Sequence, residues 1–391
     1  MLRPPKLQKF SLILLFTLAL IIIGLFFTNF ASASVIISNI EFIGQATLPT
    51  GLSFQNTELG GLSGITYDPK NNLYYAISDD RGEKAPARFY TLKIDLSQGL
   101  TSKDVIPVGV TELLNANNQP FPPTTSDTEG IAVINQDTIF VSSEGDTDKL
   151  INPFIQEFAL ASGKTISTLP IPDRYLPDPQ QQKGIRNNLA FESLTITPNQ
   201  KYLFTATENA LIQDGTAAKP GVSSLCRILE YNLLTKQPER EFLYQTQPVT
   251  PLFNPTGRFF SGLPDLLGLD NEGHFLSIER SFTGLGFTIF LFQVDLDHAT
   301  DIHNLDNISK EDISKIKPVK KELLLDLRTL NISLDNIEGL TLGPKLPDGQ
   351  QSLILISDNN FNRLQQTQIL AFKFKLESPL IRLLRRLRIW N

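Results

Sequence analysis

Five segments of the chain share one order of polar and apolar positions. Each begins with a polar residue, continues through a short apolar stretch and a turn rich in Pro, Asn, Asp or Gly, and ends in an alternating stretch. The segments start at Ser63, Glu129, Glu192, Asp265 and Glu338. Alternation with a period of two is typical of β-strands, so each segment predicts a β-hairpin.

Two further strand-like stretches follow each of the first four hairpins, for example residues 87–96 and 104–113 after the first. The fifth hairpin is followed by one such stretch, residues 367–376, while residues 35–49 near the N-terminus form a spare strand. Four antiparallel strands per repeat, completed by the chain ends, predict an all-β fold, a β-propeller. We count five blades closed by the N-terminal strand in the last blade, and a sixth, more divergent blade remains an alternative.

In such a hairpin the start of the first strand and the end of the second lie at the same rim. Because the first strand of a propeller blade is innermost, polar residues at these positions should meet at one mouth of the central channel. Those at the strand starts are Glu129, Glu192, Asp265 and Glu338, with Ser63 in the first blade, and those at the strand ends are Asp79, Glu144, Glu208, Glu279 and Asp358.

So many carboxyl groups in one funnel require compensation, since like charges raise one another's pKa. Arginine side chains could supply it, namely Arg81, Arg186, Arg227 and Arg280. Hard cations are the alternative, and calcium with its six to eight oxygen ligands suits such a loop-rich site. The predicted metal ligands are Glu129, Glu144, Glu192, Glu208, Glu338 and Asp358.

The segment GIRNNLAFES, residues 184–193, leads into the third hairpin and should overhang the same mouth. Arginine offers paired donors to phosphate or carboxylate, and asparagine can bind an anion or a cation. The predicted substrate-binding residues are Arg81, Arg186, Asn188 and Arg280. A loop held in place by its own amide groups is the alternative for this segment.

The ends of the chain differ from the body. Residues 1–33 combine three basic residues, a long apolar run and Ala-Ser-Ala, which predicts a signal peptide or an uncleaved membrane anchor. We therefore expect the propeller domain, residues 34–378, to lie outside the cytoplasm, in the periplasm or the extracellular space. Residues 379–391 carry four arginines among apolar residues, and for 380–390 this predicts a basic amphipathic helix suited to a membrane surface.

Composition narrows the classes of function. The chain has 391 residues with a net charge of −6, and residues 1–33 contribute three positive charges and no acid, so the remainder is more acidic still. An acidic body argues against nucleic-acid binding. Cys226 is the single cysteine, so it predicts a buried apolar side chain and no internal disulfide. We expect a monomer.

Several motifs, in this order, resemble the phytase-like family of exported bacterial proteins, described as having esterase-like activity of phytase. They are GGLSGITYDPKNNLYYAISDDRG, DTEGIAV, GIRNNLAFESLTITPNQKYLFTATENAL, NIEGLTLG and LILISDNNF, and together they extend from about Gly60 to Phe374. The resemblance implies a propeller with an acidic channel mouth and a phosphoester or ester substrate. The related β-propeller phytases use calcium ions and a bound water rather than a protein nucleophile.

Two functions of different classes follow. The first is a calcium-dependent hydrolase that acts on a small anionic phosphoester or carboxylic ester at the channel mouth. The second is a non-catalytic propeller of the cell envelope that binds a ligand or a partner protein there. The sequence offers acids and arginines for hydrolysis, but no unmistakable general base, so the catalytic residues remain unassigned.

Overall fold

The fold is seen in a computed structural model that describes residues 37–135, 137–311 and 313–376. Strands are numbered in chain order. Ahead of the first blade come β1 (Ile37–Leu48) and a short hairpin of β2 (Ser53–Phe54) and β3 (Thr57–Glu58). The first blade contains β4 (Leu62–Asp68), β5 (Leu73–Ser78), β6 (Arg88–Ile94) and β7 (Val105–Glu112).

The next two blades follow in chain order. The second blade contains β8 (Thr128–Val133), β9 (Thr138–Ser143), β10 (Phe154–Ala159) and β11 (Thr165–Leu169). The third contains β12 (Thr195–Ile196), β13 (Tyr202–Ala206), β14 (Leu225–Asn232) and β15 (Gln237–Gln245).

The fourth blade contains β16 (Phe260–Gly268), β17 (His274–Phe282), β18 (Phe287–Asp295) and β19 (Lys320–Asp326). The fifth contains β20 (Asn336–Lys345), β21 (Gln351–Asp358) and β22 (Thr367–Leu376), with β1 as its outer strand. Short 3-10 helices lie in the connections, at Ser102–Asp104, Asp173–Tyr175, Ile308–Lys310, Ile313–Lys315 and Leu327–Leu330.

The ring closes as the sequence predicts. β1 pairs antiparallel with β22, from Ile37 opposite Leu376 to Leu48 opposite Thr367. The inner strands β4, β8, β12, β16 and β20 each contact the next, and β20 contacts β4. The described residues therefore form a five-bladed all-β propeller, and the alternative of a sixth blade is wrong for them.

The inner strands approach each other closely around the axis. A Cβ atom on Gly64 would lie 2.5 Å from the carbonyl oxygen of Glu129, and one on Gly130 would lie 2.8 Å from that of Glu192. Both glycines directly follow the first residue of the repeat. Their lack of a side chain lets neighbouring blades bring these first residues together at one end of the channel.

Apolar side chains fill the spaces between adjacent blades. One buried cluster joins the first and fifth blades, with Ile65 and Tyr74 on one side and Ile354 and Ile369 on the other. Its members alternate along each strand with residues of the opposite face, as expected for stacked sheets. Cys226 is fully buried in another such cluster, as its sequence context predicts.

Arg227 does not reach the channel mouth, contrary to one alternative of the sequence analysis. Its fully buried guanidinium contacts Asp214 at 2.6 Å and Glu241 at 2.9 Å, and also donates to the carbonyl oxygen of Leu305. This network ties the long connection between β18 and β19 to the third blade. Arg227 therefore serves the scaffold, because its strand is the third of its blade and lies away from the axis.

None of the helices in the described part of the chain has the length and apolar character needed to cross a membrane. The predicted signal peptide or anchor, residues 1–33, and the predicted amphipathic tail, residues 379–391, lie outside the described residues. Both remain predictions.

Candidate metal and substrate site at the mouth of the propeller

Strand pairing places the starts of inner strands beside the ends of second strands. Thr128 at the start of β8 pairs with Ser143 at the end of β9, and Asn336 at the start of β20 pairs with Asp358 at the end of β21. These ends surround a cavity of about 450 Å³ at one mouth of the channel. The cavity is lined by Asp79, Arg81, Asp127, Glu129, Asn188, Leu189, Glu192, Glu208, Phe260, Arg280, Asn336, Glu338, Asp358 and Asn360.

The cavity wall is strongly acidic. Seven of its side chains are carboxylic acids and two are arginines. Arg81 forms an ion pair with Asp127 and donates a hydrogen bond to Asn188. Arg280 contacts Glu338 at 2.7 Å and Glu208 at 3.2 Å. Two arginines cannot neutralise seven carboxylates, so protons or bound cations must provide the rest of the compensation.

Asp127, Glu129 and Glu144 form the tightest group of acids at this mouth. Each offers one carboxylate oxygen, and these oxygens all lie within 4.8 Å of one another. Glu144 accepts a hydrogen bond from the backbone of Ala190 through Oε1, while its buried Oε2 has no partner. A buried oxygen without a donor is costly unless a cation or proton satisfies it. The donor set, all carboxylate oxygen, fits a hard cation such as calcium.

A second acidic group lies across the mouth. Asn336 donates to Glu338 at 2.9 Å and to Asp358 at 3.4 Å, and Arg280 completes the contacts of Glu338. The buried Oδ1 of Asp79 has no partner here either. Thus one side of the mouth has carboxylates satisfied by arginine and amide donors, whereas other oxygens remain unsatisfied.

Burial and mutual repulsion change the acidity of this cavity. Burial, followed by repulsion from Asp127, raises the pKa of Glu144 to about 8. Burial also raises the pKa of Glu338 to about 8, against the opposing effect of Arg280, and that of Asp358 to about 6. The pKa values of Glu129 and Glu192 are well above their usual range, first through burial and then through neighbouring carboxylates. Without cations, several of these groups hold protons at neutral pH.

The structure brings together most residues that the sequence singled out. Eight of them line the cavity, namely Arg81, Asn188, Arg280, Glu129, Glu192, Glu208, Glu338 and Asp358. Glu144 lies just behind this wall, where it contributes an oxygen to the group with Asp127 and Glu129. The roles predicted for these residues, in binding metal or substrate, remain predictions.

Arg186 is not part of the cavity lining. Its guanidinium donates to the backbone carbonyl oxygens of Ala210 at 2.9 Å and of Gly215. These contacts hold the loop of residues 184–193 against the following loop. For Arg186 they therefore favour the alternative of a structural role in the loop over substrate binding. Asn188, from the same loop, does reach the cavity and has a positive φ of 56°, which asparagine tolerates better than most residues.

The fourth blade departs from the repeat. β16 begins at Phe260, five positions before Asp265, and a register shift follows Gly262. Asp265 therefore lies deeper in the channel, where it accepts hydrogen bonds from the backbones of Leu340 and Leu266. Glu279 points to the other face of β17 and pairs with Lys321, so its neighbour Arg280 faces the mouth instead.

Sequence reasoning missed five residues of the cavity wall: Asp127, Leu189, Phe260, Asn336 and Asn360. A signal for two of them was present. Asp127 and Asn336 stand two positions before Glu129 and Glu338, and residues two apart on a strand share a face. In these two blades the repeat thus contains a pair of polar positions rather than a single acid.

Comparisons with solved structures find distant matches. A thermostable family-43 glycoside hydrolase has 10% identity and a TM-score of 0.46, covering 83% of this chain and 93% of that one. An endo-arabinase from Bacteroides thetaiotaomicron has 12% identity and a TM-score of 0.41, covering 86% of this chain and 98% of that one. The Dos1 propeller has 8% identity and a TM-score of 0.33, with 80% and 68% covered.

No curated protein matches the chain. The sequence model of one family does match, over residues 57–361, which is most of the propeller. That family is the Phytase-like family, described by esterase-like activity of phytase. The match agrees with the resemblance drawn from the sequence motifs. The chain belongs to the Phytase-like family.

Proposed function

We propose that the protein is a calcium-dependent hydrolase of small anionic phosphoesters or carboxylic esters, acting at the acidic mouth of the propeller. The observation that carries the proposal is the group of Asp127, Glu129 and Glu144, three converging carboxylates with an unsatisfied buried oxygen on Glu144. Membership of the Phytase-like family supports a hydrolase-like propeller.

In this proposal Asp127, Glu129 and Glu144 hold the cation, and Glu192 lines the same cavity. A bound divalent cation lowers the pKa of a water molecule and neutralises anionic oxygen atoms. The remaining acids predicted as ligands, Glu208 and Asp358, line the same cavity and extend the site toward the opposite wall.

Other side chains have complementary tasks. Arg81, Asn188 and Arg280 face the cavity with donors that can orient an anionic group. Glu338, with its pKa raised to about 8 by burial, keeps a proton at neutral pH and is the candidate that gives a proton to the departing oxygen. The donors Arg280 and Asn336 fix the position of its Oε1.

The test is an assay of the purified full-length chain on phytate, 4-nitrophenyl phosphate and 4-nitrophenyl acetate, with calcium or with chelator. We expect turnover that the chelator removes and that Glu129→Gln lowers at least tenfold. Asp270→Asn is the matched control, because Asp270 belongs to an acidic group in the turn between β16 and β17, outside the cavity lining. Absence of chelator-sensitive turnover on all three substrates would overturn the proposal.

A second candidate is a non-catalytic propeller that binds its ligand or partner at the same mouth. One observation favours it: the described residues that line the cavity include no serine, cysteine or histidine that could act as nucleophile or conventional base. A rise in melting temperature with calcium, without turnover on any ester, is the result that favours this candidate.

We also propose that the protein acts outside the cytoplasm and contacts a membrane through residues 380–390. The basis is the sequence of residues 1–33 and 379–391. Arginines near an anionic bilayer each contribute about 1 kcal/mol, and salt screens that attraction. Full-length protein should bind anionic vesicles in low salt, and deletion of residues 379–391 should weaken the binding. Equal binding by both forms would contradict the role of the tail.

A further inference from the structure

The fourth blade carries an aromatic cluster at the rim of the mouth. Phe260, at the start of β16, stacks on Phe282 at the end of β17 with ring centroids 5.1 Å apart. Phe287, at the start of β18, lies 5.2 Å from Phe282 and 6.4 Å from Phe260. The three rings form one continuous apolar surface, which we call the aromatic rim.

Phe260 belongs both to the aromatic rim and to the wall of the acidic cavity. Phe260 is 38% exposed although its ring stacks on Phe282. The guanidinium of Arg280 lies over its ring at 5.1 Å, and the same guanidinium contacts Glu208 and Glu338. Apolar surface and charged groups therefore meet at one side chain.

Neighbouring loops carry further exposed apolar side chains. Leu285, in the turn between β17 and β18, is 66% exposed, and Phe253, in the connection from β15 to β16, is 68% exposed. The two loops touch, because the hydroxyl of Thr256 lies 3.5 Å from the carbonyl oxygen of Gly284. Exposed apolar surface that is contiguous with a polar cavity is a feature of ligand-binding sites.

The charge of the cavity limits the ligands that suit it. Seven carboxyl groups face two arginines, and both arginines already contact acids. A ligand with many phosphates would meet repulsion on several sides, whereas a ligand with one anionic group needs only the proposed cation and one donor. The non-ionic part of such a ligand would pack against the aromatic rim.

We infer that Phe260, with Phe282 and Phe287, forms an apolar subsite for the non-ionic part of the ligand, so that the mouth prefers aryl or alkyl monoesters to polyphosphorylated sugars. The inference rests on the proposed function for the location of the ester group, and it adds the chemical class of the substrate.

Two stable ligands test it without need of catalysis. Phenylphosphonate and methylphosphonate share the anionic group and differ in the ring, and calorimetry with calcium compares their binding to the full-length protein. We expect phenylphosphonate to bind about tenfold more tightly, as aromatic packing predicts. Equal affinities, or binding of neither ligand, would overturn the inference.

Substitutions test whether Phe260 causes the preference for phenylphosphonate. Phe260→Ala should reduce the preference for phenylphosphonate to threefold or less, and Phe260→Leu should retain part of it because it keeps apolar surface. Phe361→Ala is the matched control: this ring lies under Lys84 at 5.0 Å and is not part of the cavity lining. A preference that survives Phe260→Ala, or that Phe361→Ala removes equally, would refute the assignment of the subsite.

Enzyme assays separate this inference from the proposed function. One outcome is equal kcat/KM for glycerol phosphate and 4-nitrophenyl phosphate, with no binding preference for the aryl phosphonate. This outcome would refute the subsite but agree with the proposed hydrolase activity. A binding preference without turnover of any ester would refute the hydrolase and confirm the subsite.

Discussion

The guanidinium of Arg280 lies 2.7 Å from the carboxyl group of Glu338, and this contact, an ion pair when Glu338 is ionised, joins β17 of the fourth blade to β20 of the fifth at the channel mouth. Both side chains are almost completely buried, and Glu208 of the third blade shares the guanidinium at 3.2 Å. One arginine therefore links three blades through two carboxylates. Because the group is buried, its net effect on stability depends on keeping every partner paired.

Replacement of this arginine is the first prediction. Arg280→Met leaves Glu208 and Glu338 without their cation, so the free energy of unfolding should fall by about 2–4 kcal/mol at pH 8. At pH 5.5 the loss should be smaller, because protonation removes the unpaired charges. Urea unfolding measures both values.

The control is Arg328→Met, which breaks a pair with Asp326 in which the arginine is 56% and the aspartate 22% exposed. The free energy of unfolding of this variant should fall by at most about 1 kcal/mol, as for exposed pairs. Equal losses in the two variants would show that the buried link between blades has no special importance.

Stability without metal should decrease as pH rises. Burial raises the pKa of Glu144 and of Glu338 to about 8, above the value of about 4.3 for an unfolded glutamate. Between these values the folded state holds protons that the unfolded state has lost, so the free energy of unfolding falls as pH rises. The stabilisation that comes from holding these protons is fully present below about pH 4. It decreases as the pH rises from there and is lost by about pH 8.

The measurement is urea unfolding in chelator from pH 5.5 to 8.5, where the free energy of unfolding should decrease by at most about 1.4 kcal/mol per pH unit for each such group. Glu338→Gln cannot titrate and should flatten the dependence. An unchanged slope in this variant, or stability that rises with pH in the wild-type protein, would contradict the assignment of raised pKa values.

Calcium should stabilise the protein more at pH 8 than at pH 6. A cation competes with protons for the carboxylates of Asp127, Glu129 and Glu144, so its affinity increases as those groups ionise. Differential scanning fluorimetry should show a larger rise in melting temperature at pH 8, and calorimetry in buffers of different ionisation enthalpy should show proton release.

Asp127→Asn or Glu144→Gln should remove most of this calcium shift, whereas Asp270→Asn should leave it intact. Asp270 forms the comparison because, with Glu272 and His274, it belongs to the other group of potential metal ligands among the described residues. A calcium shift that disappears in Asp270→Asn, but persists in the other two variants, would place the cation in the turn between β16 and β17 rather than at the channel mouth.

Close packing around the axis gives a further prediction. A Cβ atom on Gly130 would lie 2.7 Å from Cβ of Leu194 and 2.8 Å from the carbonyl oxygen of Glu192. Gly130→Ala should therefore lower the free energy of unfolding by about 2 kcal/mol or more, since the inner strands must move apart.

Gly286→Ala is the matched control, because a Cβ atom there meets nothing within 4 Å and the residue does not have a positive φ. Its effect should be neutral or slightly stabilising through the unfolded chain. Chemical unfolding of both variants decides the matter, and equal stability of Gly130→Ala and wild type would disprove the close approach of the second and third blades.

The sequence by itself determined the blade architecture and the location of the acidic mouth. Period-two alternation identifies strands, and repetition of the hairpin fixes their order in each blade, because both depend on local patterning. Glu129 and Glu338 occupy the same position of the repeat, so they had to lie at the same end of the channel. The spare N-terminal strand likewise indicated how the ring closes.

Only the tertiary structure decided which polar groups face the cavity. A shift of one residue on a strand reverses the face, so Arg280 lines the mouth and Glu279 does not. The longer strands of the fourth blade place Phe260 at the rim and Asp265 deeper in the channel. Arg186 is held by the backbone of a neighbouring loop, a long-range contact that no local pattern encodes. Register, strand length and loop path depend on packing between blades, and that packing exists only in the folded chain.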